Sequence, residues 1–145
     1  MSYLSDTSVI IRLYDSANPI CGIVRQCLDK LEQNGEKLFI VPQVLVEFWA
    51  VATRPTNANG LGMTTDEAEQ ELENLQKLFT VLPENEKIFD EWKTLVVKHK
   101  VSGKPAHDTR IVAAMIVHKI ENVLTLNPND FRRFTEIKSV RPQDV

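Results

Sequence analysis

Apolar residues follow two rhythms that alternate along this chain: short continuous or alternating runs, and longer stretches with three-to-four spacing. "SYLS" at the N-terminus reads as a short strand, and "DTSVIIRLY" behind it carries helical spacing. "ICGIVRQCLDKLEQNG" is an amphipathic helix closed by Gly35. "KLFIV" reads as a strand, after which Pro42 opens the helix "PQVLVEFWAVAT". A loop around "RPTNANGLG" leads into "TTDEAEQELENLQKLF", where Thr64 and Glu67 have capping-box spacing. "VLP" offers a short strand, "NEKIFDEWKTLVVKH" a helix, and "HDTRIVAAMIVH" another helix whose Ile111, Val112, Met115 and Ile116 share a face. "ENVLTL" is a strand, "NPNDFRRF" a turn with a helical start, and "IKSV" a last strand. Strands alternating with helices predict parallel pairing and an α/β layered fold.

Length and composition narrow this picture. No repeat or Pro/Gly-rich linker divides the 145 residues, so one domain spanning 1–145 is expected, with a sizeable core. The net charge of −3 gives no electrostatic reason for unspecific nucleic-acid binding, yet it leaves room for a basic rim around an acidic centre. Cys21 and Cys27 lie six residues apart in one helix, without metal-site spacing, and read as reduced core thiols. "MSYLSDTSVI" has no basic leader region, and no apolar run approaches the roughly 20 residues of a membrane span. A cytoplasmic protein without membrane contact is the expectation.

The candidate chemistry lies in where the acids fall. Asp108 comes three and four residues before Ile111 and Val112, so its carboxylate points to the side of the helix that enters the protein. In open parallel sheets, ligands collect beyond the carboxyl ends of the strands. Asp6 follows "SYLS", Glu47 lies just inside the helix after "KLFIV", Asp108 opens its own helix, and Asn127 and Asp130 follow "ENVLTL". Each has a plain structural reading: Asp6 as a helix cap, Asp108 as an N-cap or a first-turn acid favoured by the helix dipole, Glu47 as a helix-flank acid, Asn127 and Asp130 as turn residues around Pro128. Asp66, Glu67, Glu69, Glu71 and Glu73 look instead like a solvated helix face. Carboxylates that face one another must protonate, disperse or bind cations, and an all-oxygen set selects hard ions such as Mg²⁺ or Mn²⁺. Such ions activate water against a phosphodiester. The residues alone lead as far as metal-dependent phosphoryl chemistry.

Other groups add less. His99, His107 and His118 form no ligand set, with His107 read as an exposed turn residue. Arg54, Lys104 and Arg110 are surface charges that could rim a pocket. Trp49 and Trp92 read as core or interface residues, and no phosphate-cradling glycine loop is present.

As a set, the motifs resemble a known family. "YLSDTSVIIRL" is similar to the opening of PIN-domain ribonucleases, with Asp6 as first acid and Thr7 and Ser8 behind it. "VPQVLVEFWAVATRP" resembles the second motif, with Glu47 as its acid, and "SGKPAHDTRIVAAMIVHKIENVLTLNPNDFRRF" resembles the third and fourth run together, with Asp108 as third acid. The resemblance implies a three-layer α/β/α sandwich around a parallel sheet, and Mg²⁺- or Mn²⁺-dependent cleavage of single-stranded RNA by water attack. The branch it looks most like is the VapC-type toxins, which implies a homodimer, a small antitoxin whose tail enters the active site, and a structured RNA target such as transfer RNA. By position, Asp6, Glu47 and Asp108 would be metal ligands, and Thr7 or Ser8 would contact the metal shell or the scissile phosphate. At the fourth position many members carry an Asp after the last strand. Here Asn127 stands there and Asp130 follows three residues later, so both stay in play.

Two rivals accompany this reading. One is a PIN-like module that has lost catalysis and binds RNA or protein. The other is a phosphatase or phosphoacceptor with Asp6 as nucleophile; that chemistry wants a second acid two residues on, and "DTS" lacks it.

Overall fold

The computed structural model describes all residues 1–145. Five strands form one wholly parallel sheet: β1 (Ser2–Ser5), β2 (Lys37–Ile40), β3 (Thr80–Val81), β4 (Asn122–Leu124) and β5 (Lys138–Val140). Six α-helices connect them: α1 (Thr7–Leu13), α2 (Ile20–Gln33), α3 (Pro42–Ala52), α4 (Thr65–Leu78), α5 (Glu86–Lys98) and α6 (Pro105–Val117).

The spatial order is β3-β2-β1-β4-β5. The chain steps outward from β1 through β2 to β3, then crosses back to pair β4 with the free side of β1. Parallel crossovers are right-handed, so reversing the direction of travel puts the intervening helices on the opposite face. Accordingly α1 packs against α2 and α3, and α3 against α4, while α5 packs against α6. The result is an α/β/α sandwich. Its topological switch lies between β1 and β4, where the connections leave in opposite directions and open a crevice at the carboxyl ends of the strands.

Local chemistry explains most boundaries. The Thr64–Glu67 capping box is present at the start of α4, and Pro42 occupies the first position of α3. Gly35, at φ +73°, follows α2 in the left-handed conformation that a side chain disfavours. The core is continuous across the sheet and includes Leu4, Ile10, Phe48, Ile111, Met115, Phe131 and Phe134, all almost fully enclosed. Cys21 and Cys27 are free, buried thiols. No helix is long and apolar enough to cross a membrane.

Three sequence expectations shift. The α6 helix begins at Pro105 rather than His107, because proline suits the first helical position, where no amide donor is needed. Asp108 is therefore the fourth helical residue and caps nothing. Ile116 is only half-buried, since α6 is covered mainly along Thr109 and Ile111–Met115. The third strand is Thr80–Val81, earlier than "VLP", because Pro83 has no amide to donate to a ladder.

Candidate active site

The crevice is built from the ends of β1 and β4 and the first turns of α1, α3 and α6. Asp6, one residue past β1, is only 7% exposed. Its Oδ1 accepts the Ser8 backbone N–H at 3.1 Å, which makes it the N-cap of α1. Its Oδ2 accepts the Ser8 hydroxyl at 3.1 Å and the Thr125 hydroxyl at 2.6 Å. Capping and site placement are thus one arrangement. Burial pushes the Asp6 carboxyl above its ordinary range; the Thr125 and Ser8 donors pull it back, and the Glu47 charge raises it further.

Glu47 is half-buried on α3, with a donor on each oxygen. The Thr7 hydroxyl donates to Oε2 at 3.0 Å, and the Gln43 amide to Oε1 at 2.8 Å. The same Gln43 Nε2 donates to the His107 carbonyl at 3.0 Å, which ties α3 to the first turn of α6. From the other side, the Trp92 indole of α5 donates to the Ala106 carbonyl at 2.8 Å. Together these bonds fix the turn that carries Asp108.

Asp108 is half-buried and has no hydrogen-bond donor acting on it. Its pKa is pushed up to about 7, first by burial and then by the charges of Asp6, Asp130 and Glu47. It shares a polar cleft of about 440 Å³ with Glu47, Lys104, Pro105, His107 and Asp130, a size that suits a ligand site. Asp130 is exposed on the 3₁₀ turn Pro128–Asp130. Asn127, also exposed, lines an adjoining groove with Ser8, Arg12 and Gln143. The acidic cleft therefore gathers Glu47, Asp108 and Asp130 above the buried Asp6, while Asn127 faces the neighbouring groove.

The donor set suits a hard divalent cation. It is all oxygen, and Asp108 is an unpartnered acid in a field of like charge. No three acids converge into a ready-made cage, so an ion held here would keep water in part of its coordination shell, with some carboxylates reached through that water, as Mg²⁺ prefers.

The sequence matches the PIN domain over residues 3–137. The chain belongs to the PIN-domain family. PIN domains are generally nucleases. No curated protein matches the chain. Among solved structures, this PIN domain superposes on VapBC-1 from nontypeable Haemophilus influenzae with a TM-score of 0.73 at 18% identity, covering 98% of each chain. VapBC2 from Rickettsia felis, bound to a DNA fragment from its promoter, gives 0.73 at 14% identity, over 97% of this chain and 98% of that one. A toxin–antitoxin complex from Klebsiella pneumoniae gives 0.66 at 20% identity, over 99% of both. Identities this low speak for the fold: a PIN-like α/β/α sandwich around a parallel sheet.

The remaining charged residues of this PIN domain sort clearly. Lys104 and His107 line the cleft, and His107 is exposed within α6 rather than in a turn. Arg110 is taken up by Glu84 through two bonds of 2.8 Å, and Arg54 is not among the cleft residues. His99 pairs with Glu136, and His118 donates to the Pro83 carbonyl. Trp49 and Trp92 are half-buried against the core.

Two residues of the crevice escape a reading by motif, Thr125 and Gln43. Gln43 left a trace, since it precedes Glu47 by one helical turn and so shares its face. Thr125 left none beyond its place at a strand end. It is fully buried, donates to Asp6 and accepts the Asn127 backbone N–H at 3.0 Å. Thr125→Val keeps the shape, removes the hydroxyl and strands both partners. We expect a loss of about 1–3 kcal/mol, read as a lower urea midpoint with an unchanged slope. An unchanged midpoint would show that Asp6 does not depend on this bond.

Proposed function

We propose that this PIN domain is a divalent-cation-dependent endoribonuclease, the toxin of a toxin–antitoxin pair. The observation that carries the reading is the gathering of Asp6, Glu47, Asp108 and Asp130 at the switch point of the sheet, with the Asp108 carboxyl raised to about 7 first by burial and then by its neighbours' charges. The fold shared with VapBC and toxin–antitoxin structures supports a small antitoxin as partner.

In this reading Asp6, Asp108 and Glu47 hold Mg²⁺ or Mn²⁺, directly or through water, with Asp130 at the cleft wall as the fourth acid. Asn127 belongs to the strand path beside it. The cation supplies water activation and neutralises phosphodiester charge. The chain's own work is positional. Thr7 and Gln43 orient the Glu47 carboxylate, while Ser8 and Thr125 orient Asp6 and knit the β1–α1 turn to the end of β4. Lys104 and His107 line the cleft and would meet an RNA phosphate there, and Ser8 lines the groove that also holds Asn127. A homodimer acting in the cytoplasm on transfer RNA completes the proposal.

The test is cleavage of a labelled RNA pool in Mg²⁺, Mn²⁺ or EDTA, with Asp108→Ala in parallel. We expect cleavage that EDTA abolishes and that the variant loses by at least about a hundredfold. Equal, ion-independent background in both proteins would overturn the reading and favour a PIN-like module that binds RNA or protein without cutting.

A further inference from the structure

We propose that Gln43 is a positioning residue of the site: it orients Glu47 and locks the turn bearing Asp108, and so sets the affinity for the catalytic cation. This rests on the ribonuclease reading above. The amide nitrogen meets two acceptors at once, the Glu47 carboxylate at 2.8 Å and the His107 carbonyl at 3.0 Å. Both need an N–H, so the amide has only one workable orientation; turned over, its oxygen would face a carboxylate and a carbonyl.

That orientation has a cost. The Gln43 Oε1 is buried and has no hydrogen-bond partner, the one such side-chain atom in the protein. A stranded buried acceptor destabilises the fold, and a native fold retains such a group where it serves something else. Here the nitrogen end completes a bridge from Thr7 through Glu47 and Gln43 to the backbone of His107, the residue before Asp108. The bridge joins the first turns of α1 and α6 through α3. Without the amide, Glu47 Oε1 loses its donor and the carboxylate is free to swing. Hydrogen-bonded supports of this kind typically change metal affinity or activity by 10–100-fold when removed.

The experiment uses Gln43→Met, which keeps length and bulk and removes both donors. Mn²⁺ binding is followed by calorimetry, RNA cleavage by kcat and KM, and stability by thermal melting. We expect Mn²⁺ affinity and kcat to fall about tenfold or more, with KM for RNA moving less than about threefold and the melting temperature nearly unchanged. In a Glu47→Gln background the same substitution should cost clearly less than it does alone, because the part of its effect that passes through Glu47 is already lost and only the bond to the His107 carbonyl remains. Unchanged Mn²⁺ affinity overturns the proposal. So does a fully additive loss in the Glu47→Gln background, or an activity loss that merely follows a lower melting temperature. If the parent protein shows no ion-dependent cleavage, the ribonuclease reading has failed, and the brace is still measured by amide hydrogen exchange over residues 106–110. Faster exchange in Gln43→Met supports it, and identical exchange overturns it.

Discussion

At pH 8 and without divalent ions, Asp108→Asn melts above the parent protein by roughly 3–6 °C. The carboxyl of Asp108 is raised from its ordinary value to about 7, by burial and by the charges of Asp6, Asp130 and Glu47. A raised acid pKa means the native state prefers the proton, so ionisation opposes folding. The cost is absent below the unfolded pKa near 4, grows between about 4 and 7, and is complete above 7. Solvent at this half-buried position screens it to about 1–2 kcal/mol. The advantage of Asp108→Asn should accordingly vanish at pH 4. Added Mg²⁺ should reverse the ranking at pH 8, because a cation stabilises the ionised parent and has lost its ligand in the variant. The same linkage makes Mg²⁺ stabilise the parent more at pH 8 than at pH 6. Thermal melts across pH with and without Mg²⁺ read all of this, and a variant no more stable than its parent at pH 8 would remove Asp108 from the electrostatic centre.

Asp6→Asn should lose ion-dependent RNA cleavage by at least about a hundredfold while its fold and helix content stay intact. Asparagine is as good an N-cap as aspartate, so its carbonyl oxygen can still accept the Ser8 N–H. Its amide can donate to the Thr125 hydroxyl, which has acceptor capacity left. What disappears is one buried charge that the protein holds at a cost, as the raised pKa of Asp6 shows. Stability is therefore expected to stay level or rise slightly, and only activity to collapse. Circular dichroism and thermal melting verify the fold, and calorimetry with Mn²⁺ reports the ligand. Full cleavage by a folded Asp6→Asn would show that the buried acid is a cap and nothing more.

Some of this site was readable from residue order. Asp6, Glu47, Asp108 and Asp130 each follow a strand or open a helix, and an α/β pattern puts such positions on one edge. Of the two plain readings of Asp108, the first-turn acid is what the structure shows and the N-cap is not, because the helix does not begin beside it. Pro105 starts α6, and Asp108 points inward from its fourth position. The choice between Asn127 and Asp130 was not readable either. Both sit in one short polar turn, and only its 3₁₀ geometry sends Asp130 to the cleft wall and Asn127 to the next groove.

By itself, the sequence determined the elements of this protein and their class. Its periodicities and caps, among them the Thr64–Glu67 box, Pro42 and Gly35, act over four residues or fewer, within reach of a linear pattern. The tertiary structure decided how the acids are held. The bonds that do so span 40 residues from Thr7 to Glu47, 64 from Gln43 to His107 and 119 from Asp6 to Thr125. The same holds for the pKa of Asp108, which depends on burial and on charges brought to one crevice by the reversal between β1 and β4. Hydrogen bonds act over about 3 Å and bare charges over several, so their effects exist only once the sheet has closed those distances.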